Sequence, residues 1–425
     1  MTKIARKTAF LTSLGAGLEY YDFIIYGIMA SYLSSLFFAG DEPWISTVKV
    51  FAVFAIGYVV RPIGGVLFGM IGDTYGRKKT FLAVMLLMAC STFLIGLLPT
   101  YAQIGSSAPC LLIFLRILQG ISFGAELPGA ITVICESTDK QKQGFYTGYV
   151  ISSVSLGSML ATFMLVVLSA TLDNQQTISW GWRIPFLFGG LLAVANYFIR
   201  KYMDETPEFI QQQANVRQTS RQSVKAPIAL LFKEYLQQVL VGIGLTLLIS
   251  GLVIFYLYLP TYLSNYFSYQ LEDIYFAMTV GLVWSAIILP ACGWLSDCIG
   301  RSRTLLITCV GFCVGAFPLF EFLKQPGLFG LIPFVMIYQT ILALATASYF
   351  PILGSLFPTA VRYTGIAACY NITYALMGCA PIIITALIGF TGTFLSGLYF
   401  LVFCAALSAL AVKKLIKMEG LCLSK

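Results

Sequence analysis

The chain has 425 residues, of which 58% are hydrophobic and only 10% charged, with 38 glycines, 33 phenylalanines and a formal net charge of +8. A soluble domain uses roughly 25% charged residues. A surface this poor in charge excludes an ordinary soluble enzyme, a disordered chain and a secreted cystine scaffold, and leaves an all-α polytopic membrane protein.

The first segment, MTKIARKTAFLTSLGAG, is basic and runs into an apolar stretch interrupted by Glu19 and Asp22. No small-x-small cleavage site follows, so it reads as a retained span rather than a cleaved signal. A bilayer-crossing helix needs about 20 apolar residues. In chain order the predicted spans are 12–38, 48–72, 80–98, 108–135, 144–170 and 183–200, then 237–264, 274–295, 303–322, 329–356, 363–388 and 391–412. A polar stretch separates the two sets. The predicted organisation is a six-helix bundle over 1–202, a cytoplasmic linker over 203–235 and a second six-helix bundle over 236–425.

Basic residues set the orientation. With both termini inside, 21 of the 26 Lys and Arg fall on the inner side, as the positive-inside rule requires. Lys49, Arg61, Arg116, Arg183 and Lys324 are the remainder, and the outer loops carry Asp41, Glu42, Asp173, Glu272, Asp273 and Glu321. The positive charge is dispersed among inner loops, so it implies a membrane with cytoplasmic termini and no nucleic acid. The localisation expected is the inner (plasma) membrane. Most of the 11 cysteines lie inside apolar runs and read as packing residues. The chain has no His, which removes a His-based proton relay and the common metal sets. Neither a metal, a cofactor nor an obligate protein partner is expected.

An internal repeat links the halves. GMIGDTYGRKK (69–79) follows the second span and GWLSDCIGRSR (293–303) follows the eighth, so Asp73 and Asp297, Gly76 and Gly300, and Arg77 and Arg301 are each 224 residues apart. Halves related in this way rock about a midplane site in carriers. Gly permits the tight turn, Asp73 can accept from the positive end of the following helix, and Arg77 can clamp a neighbour. Together they predict a latch.

Charges deep inside the spans are few: Glu19, Asp22, Arg61, Arg116 and Glu126, all in the first half. A charge at bilayer depth is costly and marks a pathway. At 1.5 Å per residue, Arg61 lies about 20 Å below the outer face, with Asp22 and Arg116 nearer the middle. Glu19 and Asp22 share a face of the first helix, with Tyr26 one turn on. The simplest arrangement clusters both carboxylates and both guanidiniums among helices one, two and four, where Glu19, Asp22 and Arg61 carry proton coupling. A static set of salt bridges is the alternative. Arg116 is the candidate for a substrate carboxylate. Glu126 lies about 15 Å further in along the same helix and is assigned to gating near Asp73 or Arg77. The second half supplies neutral contacts: Tyr256, Trp284, Tyr338, Gln339, Tyr370, Asn371 and Tyr374. Aromatic faces among them suit an organic cation.

The chain resembles the major facilitator superfamily, and within it the metabolite:proton symporter branch, which includes proline/glycine-betaine and α-ketoglutarate, citrate and shikimate permeases. Five segments carry the resemblance: GAGLEYYDFIIYG (15–27), RPIGGVLFGMIGDTYGRKKT (61–80), LRILQGISFGAELPGA (115–130), WGWRIPF (180–186) and FPTAVRYTGIAACYN (357–371). It implies two six-helix bundles with alternating access and proton-driven uptake of a small organic solute. It also implies coupling roles for Glu19 and Asp22, a loop latch at Asp73, Gly76 and Arg77, and a helix-four motif at Arg116, Gln119 and Glu126. Arg362, Tyr363 and Gly365 match the inner end of helix eleven. Ala125 stands where the pattern has a second Gly. The last span is followed by no heptads, so no osmolality sensing is expected.

Charge counting separates the substrates. A di- or tricarboxylate wants two cations, and only Arg116 and Arg61 are present. A zwitterion such as proline or glycine betaine needs Arg116, an acid such as Asp22, and tyrosines. The expectation is zwitterion uptake by proton symport. A di- or tricarboxylate permease, or an exporter of an amphiphile, is the alternative.

Overall fold

In the computed structural model, residues 3–38, 49, 52–53, 55–201, 205–218, 227–267 and 269–423 are described, and every regular element among them is helical. The predicted outer acids Asp41 and Glu42 and the basic Arg221, Lys225 and Lys425 lie outside the described residues. The main helices are α1 (Lys3–Ile28), α2 (Arg61–Tyr75), α3 (Arg77–Leu97), α4 (Ser107–Ser137), α5 (Gln143–Thr171), α6 (Arg183–Lys201), α7 (Leu236–Phe267), α8 (Leu271–Ile299), α9 (Arg301–Glu321), α10 (Leu328–Ser355), α11 (Arg362–Met377) and α12 (Ser396–Leu423). Ten helices among the described residues are long and apolar enough to cross a bilayer, and the bent pair Asn174–Gly181 and Arg183–Phe198, at 47°, makes an eleventh span. Helix α1 falls short of that apolarity because it carries Glu19, Asp22 and three tyrosines. The polar stretch after α6 contains two further helices, Pro207–Gln218 and Pro227–Glu234, each opened by a proline suited to a first helical turn.

The helices pack as two units. The first holds Met1–Ser137, Ser153–Ile228 and Thr359–Ala367, and the second holds Thr138–Ser152, Ala229–Pro358 and Ala368–Lys425. Each therefore includes a short segment from the other end of the sequence. In the first unit α1 packs on α4 and α6, α2 on α4, and α3 on α4 and α6. In the second, α8 and α9 pack on α10, and α12 lies against α7 and α9.

Glycines bring α2 and α4 to backbone contact. A Cβ on Gly64 would collide with Ile121 O, and one on Gly124 with Arg61 O. Small residues allow such close approach in apolar helix pairs, and here the seam sets Arg61 beside Arg116. The prediction is that Gly64→Leu lowers the melting temperature in detergent, because the obstacle is backbone rather than a movable side chain. Overpacking of an ordinary core costs about 1–3 kcal/mol. An unchanged melting temperature would contradict this seam. Ala125, the departure from the family pattern, is accommodated: its methyl packs with Val84, Phe68 and Tyr363, and its carbonyl accepts the Tyr363 hydroxyl at 2.8 Å.

At the start of α6, Arg183 Nη1 donates to Gly96 O and Leu98 O, both at 2.8 Å. These carbonyls end α3, where a helix lacks internal partners. Arg183 is thus a structural cap, 4.4 Å over the Trp182 ring.

Candidate functional site

Two constellations stand out in the first unit. The first is an aromatic and cationic box on α1, α2 and α4. The Arg61 guanidinium lies 3.8 Å from the Tyr58 ring, 4.3 Å from Phe23 and 4.4 Å from Phe123. The Arg116 guanidinium lies 4.4 Å from both Phe23 and Tyr26. Phe23 is therefore shared by two cations, and it stacks on Phe123 at 4.2 Å. Ring faces attract guanidiniums, the more so when desolvated. Arg116 Nη1 donates to Gln119 Oε1 at 2.9 Å, and Gln119 Nε2 donates to Thr92 Oγ1 on α3 at 2.8 Å. Arg116, Gln119 and Phe123 sit at helical spacing on one face of α4. That spacing was the signal available for Phe123; Tyr58 and Phe23 carried none beyond their place beside charged neighbours.

Asp22 departs from the expected four-charge cluster. It is fully enclosed, neither oxygen has a hydrogen-bond partner, and Oδ1 lies where a Cβ on Gly189 of α6 would be. The glycine leaves a niche on the α6 side of α1, and the carboxyl turns into it. Glu19 is also buried, one turn earlier on α1.

The second constellation is the latch. Gly76 and Gly300 end α2 and α8 with φ of 111° and 102°, the left-handed region that a side chain resists. The repeat in sequence is thus a repeat in backbone. Asp73 accepts from Tyr363 N at 3.2 Å, Thr364 N at 2.9 Å and Thr364 Oγ1 at 2.7 Å. It caps the start of α11, a favourable place for an anion, rather than the helix that follows it. Asp297 likewise accepts from Gly144 N and Phe145 N, both at 3.0 Å, at the start of α5.

Arg77 is wholly buried. It meets Glu136 Oε1 at 2.8 Å and Oε2 at 3.0 Å, Asp73 at 3.2 Å, Gly72 O at 2.7 Å and Thr359 O at 2.9 Å. Arg362 reaches Glu136 at 3.3 Å and also pairs with Glu208. Thr206 Oγ1 donates to Glu136 at 2.6 Å, and Glu205 accepts the Arg77 and Lys78 N–H groups at 3.0 and 3.3 Å. The acid that closes this ring is Glu136. Glu126, expected near Asp73 or Arg77, stands ten residues or about 15 Å earlier on α4, buried. No sequence signal separated Glu136 from Glu126: both are acids on α4, and both are buried. The second copy is slighter: Arg301 pairs with Asp297 at 2.9 Å, donates to Gln143 at 3.0 Å and to Lys140 O, and its side chain is 19% exposed.

In the second unit the candidate contacts are neutral. The Tyr256 hydroxyl donates to Met278 O at 2.7 Å. Tyr256 stacks on Tyr338 at 6.2 Å, and Tyr370 lies 4.4 Å from Tyr374. Asn371 is fully buried between those two on α11. Trp284 Nε1 donates to Thr340 at 2.9 Å.

A family model of the Major Facilitator Superfamily matches residues 12–380. The chain is 33% identical over 387 residues to the proline/betaine transporter of Escherichia coli strain K12, covering 88% of this chain and 76% of that one. It is 31% identical over 414 residues to the citrate-proton symporter of Klebsiella pneumoniae, covering 96% and 91%. Among solved structures, the proton:xylose symporter XylE bound to 6-bromo-6-deoxy-D-glucose aligns with a TM-score of 0.79 at 15% identity, covering 97% and 95%.

Proposed function

The chain belongs to the Major Facilitator Superfamily, and from that membership we propose that it takes up a zwitterionic solute such as proline or glycine betaine by proton symport, through alternating access. It is an integral membrane carrier rather than an enzyme. The observation that carries the reading is Arg116, buried among Phe23 and Tyr26 and oriented by Gln119. A guanidinium fixed in that way presents a fork for one carboxylate. Tyr26 and Gln119 supply neutral contacts beside Arg116 in this proposal. Asp22, set apart in its niche, is assigned to coupling with Glu19 and Arg61. The moving bodies are the bundles 1–202 and 236–425, joined by the linker 203–235, with both termini cytoplasmic in the inner membrane. Asp73, Gly76, Arg77, Glu126, Asp297, Arg301 and Arg362 serve the gate. Its release frees the start of α11 from Asp73 and Arg77.

The test is uptake of labelled proline, glycine betaine, α-ketoglutarate, citrate and shikimate into proteoliposomes, with and without an imposed pH gradient. Accumulation of proline or betaine only under the gradient is the expected result; equal uptake without it would end the symport reading. A second reading has its own support. Arg61 and Arg116 converge on one ring, which suits a di- or tricarboxylate, and accumulation of citrate alone would select it. Arg116→Gln is expected to raise KM about tenfold or more, since a hydrogen bond to a charged group contributes roughly 1.5–3 kcal/mol. Arg116→Lys should cost less, because it keeps the charge and loses the fork. Equal KM in all three proteins would remove Arg116 from the substrate site.

A further inference from the structure

The niche of Asp22 has a neighbour that the coupling assignment does not use. A Cβ on Gly189 would meet Asp22 Oδ1 and would stand 3.1 Å from Tyr21 Cε1 and 3.2 Å from Thr92 Cγ2. The Thr92 methyl and the Asp22 carboxyl thus border the same gap. On its other side Thr92 Oγ1 accepts from Gln119, which in turn accepts from Arg116. A hydroxyl that accepts still has a proton to donate. Rotation about χ1 of Thr92 exchanges the positions of its branches, bringing that donor toward Asp22 and withdrawing the acceptor from Gln119. Thr92 and Gln119 are both fully buried, so Gln119 then loses a partner it cannot replace with bulk water.

We propose that Thr92 and Gln119 are positioning residues that couple the protonation of Asp22 to the grip of Arg116 on a substrate carboxylate. This rests on the reading of the chain as a proton symporter with Asp22 as its coupling carboxyl. With Asp22 neutral, Thr92 accepts from Gln119 and Arg116 is held as observed. With Asp22 ionised, the Thr92 hydroxyl turns to the carboxylate, Gln119 is released and the Arg116 fork loses its orientation. The proton itself is taken from water by Asp22 and returned to water; the Thr92–Gln119–Arg116 chain only reorients. The ionisable groups around the niche are Glu19, Tyr21 and Tyr26 on α1 and Arg116 on α4. The adjoining turns of α3 and α6, residues 89–95 and 186–192, supply only Cys90, which is exposed.

The test uses the full chain in proteoliposomes with labelled proline as the probe. Thr92→Val keeps the shape and deletes the hydroxyl. It is expected to lose most accumulation under an inward proton gradient, to show a raised KM that no longer depends on external pH because Gln119 has lost its acceptor, and to keep the maximal rate of counterflow at saturating proline within about twofold. Thr92→Ser is expected to restore accumulation and the pH dependence. Gly189→Ala, which fills the niche on the Asp22 side and leaves the Thr92 acceptor in place, should also lose the pH dependence of KM but without raising KM. Wild-type accumulation by Thr92→Val, or failure of Thr92→Ser to rescue, would overturn the proposal. So would loss of counterflow at saturating proline in Thr92→Val, since the hydroxyl would then serve the carrier itself rather than its coupling. If the wild type shows no gradient-driven uptake of proline, the symport reading fails first, and the two failures are told apart.

Discussion

Asp22→Asn is expected to equilibrate its solute without concentrating it. With the membrane potential clamped and an imposed gradient of about one pH unit, one proton per solute supports an accumulation ratio of about ten, because 1.4 kcal/mol is tenfold. The ratio should fall to about one in the variant, while counterflow from preloaded vesicles persists. Asn keeps the shape of the side chain and cannot bind or release the proton. The niche against Gly189 offers the native carboxyl no hydrogen-bond partner. A proton is the compensation such a group can take when water leaves, and ionisation becomes favourable again once the niche is wetted. Normal accumulation by Asp22→Asn would take Asp22 out of the coupling scheme, and the relay through Thr92 with it.

The second large effect is expected at Arg77. Arg77→Ala strips Glu136 and Asp73 of their shared cation in a buried setting, and breaking a buried pair in this way costs roughly 3–5 kcal/mol. A bias of that size moves a two-state equilibrium by more than about a hundredfold. Initial uptake and melting temperature should both fall steeply. Arg301→Ala removes a pair whose arginine is 19% exposed, and water screens such a pair more than a fully buried one, so its losses should be smaller. Equal losses at the two arginines would show that burial of the first latch does not govern its strength. Should Arg77→Ala fail to fold, Glu136→Gln, which retains size, tests the same ring by uptake alone.

The pairing of Arg77 with Glu136 also shows where reading the chain stops. The repeat of Asp, Gly and Arg at a spacing of 224 announced two latches of the same backbone form, and the glycine φ values agree. Nothing in the repeat distinguished a latch closed by Glu136, Thr206, Arg362 and Glu208 from one ending at Gln143 and Lys140. Those partners come from distant parts of the chain, and helical periodicity says which residues share a face but not which neighbour fills the space opposite. The same holds for Asp22: spacing placed it on one face with Glu19, while the absence of a side chain at Gly189 decided that its carboxyl would turn toward α6.

What residue order alone determined is the membrane class, the two sets of spans and the short roster of intramembrane charges. These follow from hydropathy and from the cost of burying a charge, both local properties of the chain. The tertiary structure decided which of those charges meet: Arg61 and Arg116 on one phenylalanine ring, Asp22 alone in a glycine niche, and Glu136 rather than Glu126 on Arg77. Such pairings depend on how closely helix backbones approach, which is set by glycines acting across pairs of helices and not along one.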